Sequence, residues 1–81
     1  MGRNERIKKV MAQIFGVAQS AIGDDASPGS IEQWDSLRHM NLIVGLEEEF
    51  DLRFPDECIS EMVSFNLIVF HLRTLLPSDL D

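Results

Sequence analysis

Apolar residues recur at three- and four-residue steps in separate stretches of this chain, and nothing alternates as a strand would. From Asn4, the side chains of Ile7, Val10, Met11, Ile14 and Phe15 form one stripe. That stripe predicts an amphipathic first helix with Asn4 as its N-cap and Gly16, free to adopt a left-handed backbone, at its end. Residues 17–35 then lose the period and contain Gly23, Ser27, Pro28, Gly29 and Ser30, a composition that favours turns. A connection longer than about 12 to 15 residues is uncommon in a compact domain unless it is functional or tied down. Ile22, Ile31 and Trp34 are its candidate anchors, with room for a short helical turn between them.

A second helix is predicted from about Ser36 to Phe50, opened by Asp35 or Ser36 as N-cap and ending near Asp51. At 100° per residue, Leu42, Ile43, Leu46 and Phe50 share one arc with His39, which is the natural core face. Leu37, Met40 and Val44 fall on a different arc, beside Ser36 and Glu47. The apolar surface of this helix is therefore wider than a single buried stripe requires. Either the second ridge packs under the long loop or it meets partners. Gly45, costing roughly 1 kcal/mol relative to alanine in a helix, falls on the outer arc with Arg38, Asn41 and Glu48 and has no evident function.

Pro55 suits the first turn of a short third helix running through about Met62, with Asp56 and Glu57 near its positive end. Ser64 then caps a last helix whose stripe is Phe65, Ile68, Val69, Leu72 and Leu76, before Pro77 stops the pattern. The stripes converge on one core expected to include Ile7, Val10, Ile14, Leu42, Leu46, Phe50, Met62, Ile68 and Leu72. The fold class is all-α: a four-helix bundle with a short third helix and a long first loop, forming a single domain over 1–81.

Length and charge narrow the function classes. Chains of 81 residues bury only about 60% of the surface their unfolded form exposes, which disfavours a deep substrate cavity with a full catalytic apparatus. Seven basic against fourteen acidic residues leave a net charge of −7, a field that repels nucleic acid and anionic lipid and attracts basic protein surfaces. The excess lies after the middle, where Asp35, Glu47, Glu48, Glu49, Asp51, Asp56, Glu57 and Glu61 face only Arg38 and Arg53. The first helix, with Arg3, Arg6, Lys8 and Lys9, is basic instead. No apolar run approaches the roughly 18 residues of a membrane span, and Met1 to Lys9 is charged rather than a signal-peptide core, so a cytoplasmic location is expected. Cys58 is the only cysteine, which rules out an intrachain disulfide and fits a reducing compartment, with the side chain acting as a small buried hydrophobe.

Candidate chemistry centres on Ser36. A serine before an apolar-periodic run is commonly just a helix cap, but a hydroxyl at a helix N-terminus is also suited to a phosphate ester, beside unsatisfied N–H groups and the positive end of the macrodipole. His39, three residues on, raises the possibility of a serine nucleophile with its base. Helical counting sends His39 toward the core, however, and no Gly-x-Ser-x-Gly elbow or oxyanion hole can be identified. A core-edge histidine is expected there, and His71 on the last helix reads the same way. Of the run Glu47 to Glu49, Glu49 reads as solvated face and Glu47, on the arc of Ser36 and Met40, as a contact for basic partners. Asp24 and Asp25 lack the spaced oxygen ligands of a calcium loop.

The run Trp34, Asp35, Ser36, Leu37, followed by Leu42 to Phe50 with its Leu46-Glu47-Glu48-Glu49-Phe50 ending, resembles acyl carrier proteins, whose signature is Asp-Ser-Leu opening the second helix. The resemblance covers the whole chain: length, acidity, long first loop, the Phe54-Pro55-Asp56-Glu57 segment and the Ser64-capped last helix all fall where that family has them. It implies that Ser36 receives phosphopantetheine from coenzyme A through a phosphopantetheinyl transferase. Acids then ride as thioesters on the arm, shuttled between acyl-activating and acyl-transferring enzymes with basic docking surfaces. It further implies that Asp35 lies beside the transferase-bound cofactor and metal. Leu37, Met40, Val44 and Glu47 would form the docking face, reinforced by Glu48, and an acyl chain could slip between the second and third helices. Such a protein is a non-catalytic monomer that binds neither nucleic acid nor membrane. Trp34 and Arg38 depart from carriers of central fatty acid synthesis, which have a small residue before the motif and an acidic one after it. They resemble more closely those of specialised pathways, such as polyketide, aminoacyl or modified-sugar biosynthesis. An aminoacyl or peptidyl carrier would share the serine and the fold. A helical interaction module without a prosthetic group would use Ser36 only as a cap and the ridge as a permanent interface.

Overall fold

The computed structural model describes residues 2–76. Its helices are α1 (Arg3–Phe15), α2 (Ser36–Phe50), α3 (Asp56–Ile59) and α4 (Phe65–Leu75), with a 3-10 turn at Gln19–Ala21 inside the long connection. None of the described residues lies in a strand, and no described helix is long and apolar enough to cross a membrane. Their buried apolar side chains form one cluster, drawn from α1, α2, α4 and the connections between them. The fold is a small all-helical bundle.

Each apolar stripe turns inward as its spacing requires. Ile7, Val10, Met11 and Phe15 of α1 meet Leu42, Ile43, Leu46 and Phe50 of α2, with Phe65, Ile68 and Leu72 of α4 completing the cluster. Ile14, expected in the core, is only half-buried at its edge, as are Val69 and Leu76. All three expected anchors of the long connection are buried: Ile22, Ile31 and Trp34, the last packed at 5.2 Å between ring centroids against Phe15. A backbone bond from Phe65 N–H to the Ala26 carbonyl, 2.9 Å, ties the same connection to the start of α4.

The helix ends agree with the expected chemistry in most places. Gly16 closes α1 at φ 70°, the left-handed region where a side chain would be strained. Ser64 caps α4 by accepting the Leu67 N–H. Two boundaries differ. The N-cap of α1 is Gly2 rather than Asn4: the Gly2 carbonyl accepts the Arg6 N–H at 3.1 Å, and the first turn so added brings Glu5 near the positive end of the helix. The third helix is shorter than expected, with Pro55 as its N-cap and Ile59 its last residue. From there the chain tightens into i to i+3 bonds, Glu61 N–H to Cys58 and Met62 N–H to Ile59, which turn it so that Met62 is fully buried. Pro77, expected to stop the last helix, lies outside the described residues. Leu76 already has an extended backbone, the conformation favoured before proline.

Two basic residues of α1, Arg6 and Lys8, make contacts within the molecule. Arg6 pairs with Glu49 (Nε to Oε2 2.9 Å), donates to the Glu49 carbonyl at 2.8 Å and lies 4.4 Å from the Phe50 ring centroid. Lys8 pairs with Asp24 at 2.9 Å and sits 5.2 Å from the ring of Phe65. Glu49 is therefore not simply solvated face, since it joins α2 to α1. Exposed pairs of this kind contribute little individually, about 0.2–1 kcal/mol, so their effect is to set register more than to add stability.

Gly45 acquires a reason. A Cβ at this position would sit 3.0 Å from Val10 Cγ1 and 3.8 Å from Ile14 Cδ1, so the residue faces α1 rather than the outside, and its missing side chain lets the two helices approach. Val10 is buried and β-branched, with one strongly preferred rotamer in a helix, and cannot swing aside. A Gly45→Leu chain is expected to lose about 1–3 kcal/mol by overpacking, despite leucine's better helix propensity, as read from the urea midpoint. An unchanged or raised midpoint would show that the seam between the helices is slack.

Candidate functional site

The N-terminal end of α2 brings the sequence-marked residues together. Asp35, with an extended backbone, is the N-cap: its Oδ1 accepts the Arg38 N–H at 2.8 Å. Its other oxygen, Oδ2, accepts from Arg38 Nη1 at 2.9 Å, so one residue engages the whole carboxylate. With capping done by Asp35, Ser36 is the first helical residue. It is exposed, and its hydroxyl has no hydrogen-bond partner among the described residues. Ser36 is thus placed as an unencumbered hydroxyl rather than as a cap.

Down the same arc, the ridge is open to solvent: Leu37 is 73% exposed, Met40 49% and Val44 51%. It does not pack under the long loop. The buried arc of α2 is satisfied by Leu42, Ile43, Leu46 and Phe50, so these three side chains are surplus to the core. The ridge ends at Glu47 and Glu48, beside a shallow groove of about 600 Å³ lined by Val44, Glu47, Glu48, Asp51, Leu52 and Arg53. Glu48 is exposed, as expected. Glu47 is half-buried, and its Oε2 accepts the Phe54 N–H at 2.9 Å, fixing the chain that leads into α3. It therefore has a structural task as well as a place on the ridge.

Beside Ser36, a second open groove of about 320 Å³ is lined by Pro28, Trp34, Asp35, Ser36, His39 and Val63. Its floor is a hydrogen-bonded chain across three segments. The buried Trp34 Nε1–H donates to His39 Nδ1 at 3.0 Å, and His39 Nε2 lies 2.8 Å from the Ile59 carbonyl. Because Trp34 can only donate, Nδ1 accepts, and Nε2 donates to that carbonyl. Both ring nitrogens are thereby committed, leaving neither to activate the Ser36 hydroxyl. His39 is the core-edge residue its helical position indicates. His71 is likewise buried, with its Nε2 3.4 Å from a Glu61 carboxylate oxygen.

Cys58 is half-buried against the core, and partial burial raises its thiol pKa, with the carboxylates of Glu57 and Glu61 adding to the shift. The thiolate, the reactive form, is correspondingly disfavoured.

Several features of the site are absent from the sequence reading, the Trp34–His39–Ile59 chain among them. The Arg38 clamp on Asp35 was visible in principle as an acid and a base three residues apart at a helix start. The bond from Glu47 to Phe54 crosses between segments, and no helical count can find it. No protein-family model matches the chain.

Proposed function

We propose that this chain is a carrier of acids held as thioesters on a phosphopantetheine arm attached to Ser36, as in the acyl carrier proteins that its sequence resembles. The observation that supports the reading best is the division of labour at the start of α2. Asp35 caps the helix, and Ser36 next to it keeps an exposed hydroxyl with no partner among the described residues. The ridge of Leu37, Met40 and Val44, ending in Glu47 and Glu48, leads away from that hydroxyl and offers an apolar strip with acidic flanks to a basic partner.

In this reading the Ser36 oxygen attacks the pyrophosphate of coenzyme A. A P–O bond forms to Ser36, the bond to the bridging oxygen breaks, and adenosine bisphosphate leaves. The hydroxyl proton passes to a base of the transferase, since His39 is engaged elsewhere. The resulting phosphodiester sits at the positive end of the α2 dipole. Acyl or aminoacyl groups are loaded on the terminal thiol by separate enzymes, and the protein works as a monomer handed between them in the cytoplasm. Its contacts exchange quickly because exposed charge pairs are individually weak.

Intact-protein mass after incubation with coenzyme A and a broad-specificity phosphopantetheinyl transferase tests the proposal. The expected result is a single added arm, mapped by fragmentation to the peptide containing Ser36. An unchanged mass, with a transferase shown to be active on another carrier in the same buffer, would point instead to an interaction module without a prosthetic group.

A further inference from the structure

The acid nearest the proposed attachment point is not presented as a bare charge. Asp35 Oδ1 holds the Arg38 backbone N–H at 2.8 Å and Oδ2 holds the Arg38 guanidinium at 2.9 Å. The pair is solvent-accessible, with side-chain exposures of 53% for Asp35 and 45% for Arg38, so it forms part of the surface a partner meets. At this end of α2 the carboxylate is locally neutralised. Glu47, which accepts the Phe54 N–H, and Glu48 share their groove with Arg53 but form no ion pair among the described residues, and they stand about 18 Å or more further along the axis, at 1.5 Å per residue. That separation exceeds the Debye length of about 10 Å at 0.1 M salt, so the two ends present separate electrostatic features.

We infer that Arg38 is a specificity-determining residue, which withholds Asp35 from basic partners and leaves the acidic end of the ridge to attract them. A partner that docks by pairing a Lys or Arg with Asp35 must first displace Arg38. One that presents an acid near Ser36 finds a free edge of the guanidinium. The inference deepens the carrier reading and rests on it where it concerns loading of the arm, while the charge arrangement can be tested without any arm.

The substitutions separate charge from capping. In Arg38→Ala the backbone N–H still donates to Asp35, so the helix cap survives. Arg38→Lys keeps both that N–H and the positive charge. Loading by a phosphopantetheinyl transferase with a basic docking face is expected to gain about 2- to 5-fold in kcat/KM for Arg38→Ala at about 0.1 M salt. The gain should vanish at about 1 M salt, where the Debye length falls to about 3 Å, and in Arg38→Lys, which retains the positive charge. Equal or slower loading of Arg38→Ala, or an equal gain in Arg38→Lys, overturns the inference while leaving the carrier reading intact.

A second measurement decides the matter even if no variant is loaded. In amide shift titrations with hexalysine, the unsubstituted protein is expected to respond around Glu47, Glu48 and Asp51. Arg38→Ala should add responses at Asp35 and Ser36. Equal response at Asp35 and Ser36 in both proteins overturns the withholding role. Failure of every variant to acquire an arm, with the titration difference present, would remove the carrier function and keep the charge arrangement.

Discussion

A Ser36→Ala chain is expected to fold as well as the unsubstituted one and to acquire no phosphopantetheine at all. The two halves of that expectation come from the same geometry. Asp35 supplies the capping oxygen, and the Ser36 hydroxyl is exposed without a partner among the described residues, so removing it breaks no contact within the fold. Alanine is also the better helix former, and the change in stability should stay within about 0.5 kcal/mol. By contrast, Asp35→Ala should cost about 1 kcal/mol through the lost cap. Thermal unfolding by circular dichroism and intact mass after transferase treatment read the two halves separately. Undiminished loading of Ser36→Ala would move the attachment elsewhere, and a large loss of stability would return Ser36 to a structural role.

The largest loss of stability from a single polar substitution is expected at His39. His39→Ala leaves the indole N–H of Trp34 without its acceptor and the Ile59 carbonyl without its donor. Trp34 is buried, so its N–H cannot simply turn to solvent. An unsatisfied buried donor costs about 1–3 kcal/mol and an ordinary lost hydrogen bond about 0.5–1.5, which together suggest about 2–4 kcal/mol. Small domains have about 5–15 kcal/mol in all, so the unfolding midpoint in urea should fall visibly. Adding Trp34→Phe to His39→Ala should cost less than Trp34→Phe alone, because the orphaned donor has already lost its partner. Purely additive effects would mean that the two rings merely lie near each other.

How much of this was legible beforehand depended on whether a residue's role is local. Gly16, Asp35 and Ser64 act on their own helix ends, and their capping roles follow from position alone. The inward faces of the helices follow from periodicity, and so does the presence of two apolar arcs on α2, but only the structure decides that the second is exposed rather than packed under the long loop. What escaped were properties of a second segment. Gly45 lies on an arc that helical counting labels as outer, yet α1 passes over it, and only the placement of Val10 reveals this. Glu49 and Glu47 are acids on a polar face until Arg6 and the Phe54 backbone are brought to them. The third helix was overextended because Met62 keeps a helical spacing from Ile59, although burying its side chain takes a tighter turn.

The hydrogen-bonded floor beneath Ser36 has a practical corollary. Trp34 is the chain's single tryptophan, and there is no tyrosine, so near-ultraviolet emission from this protein originates at one indole. That fluorophore is wedged between Phe15 and His39, at the junction of the long connection with α2. Its wavelength and lifetime therefore report, without any added dye, on the packing of the few residues next to the serine.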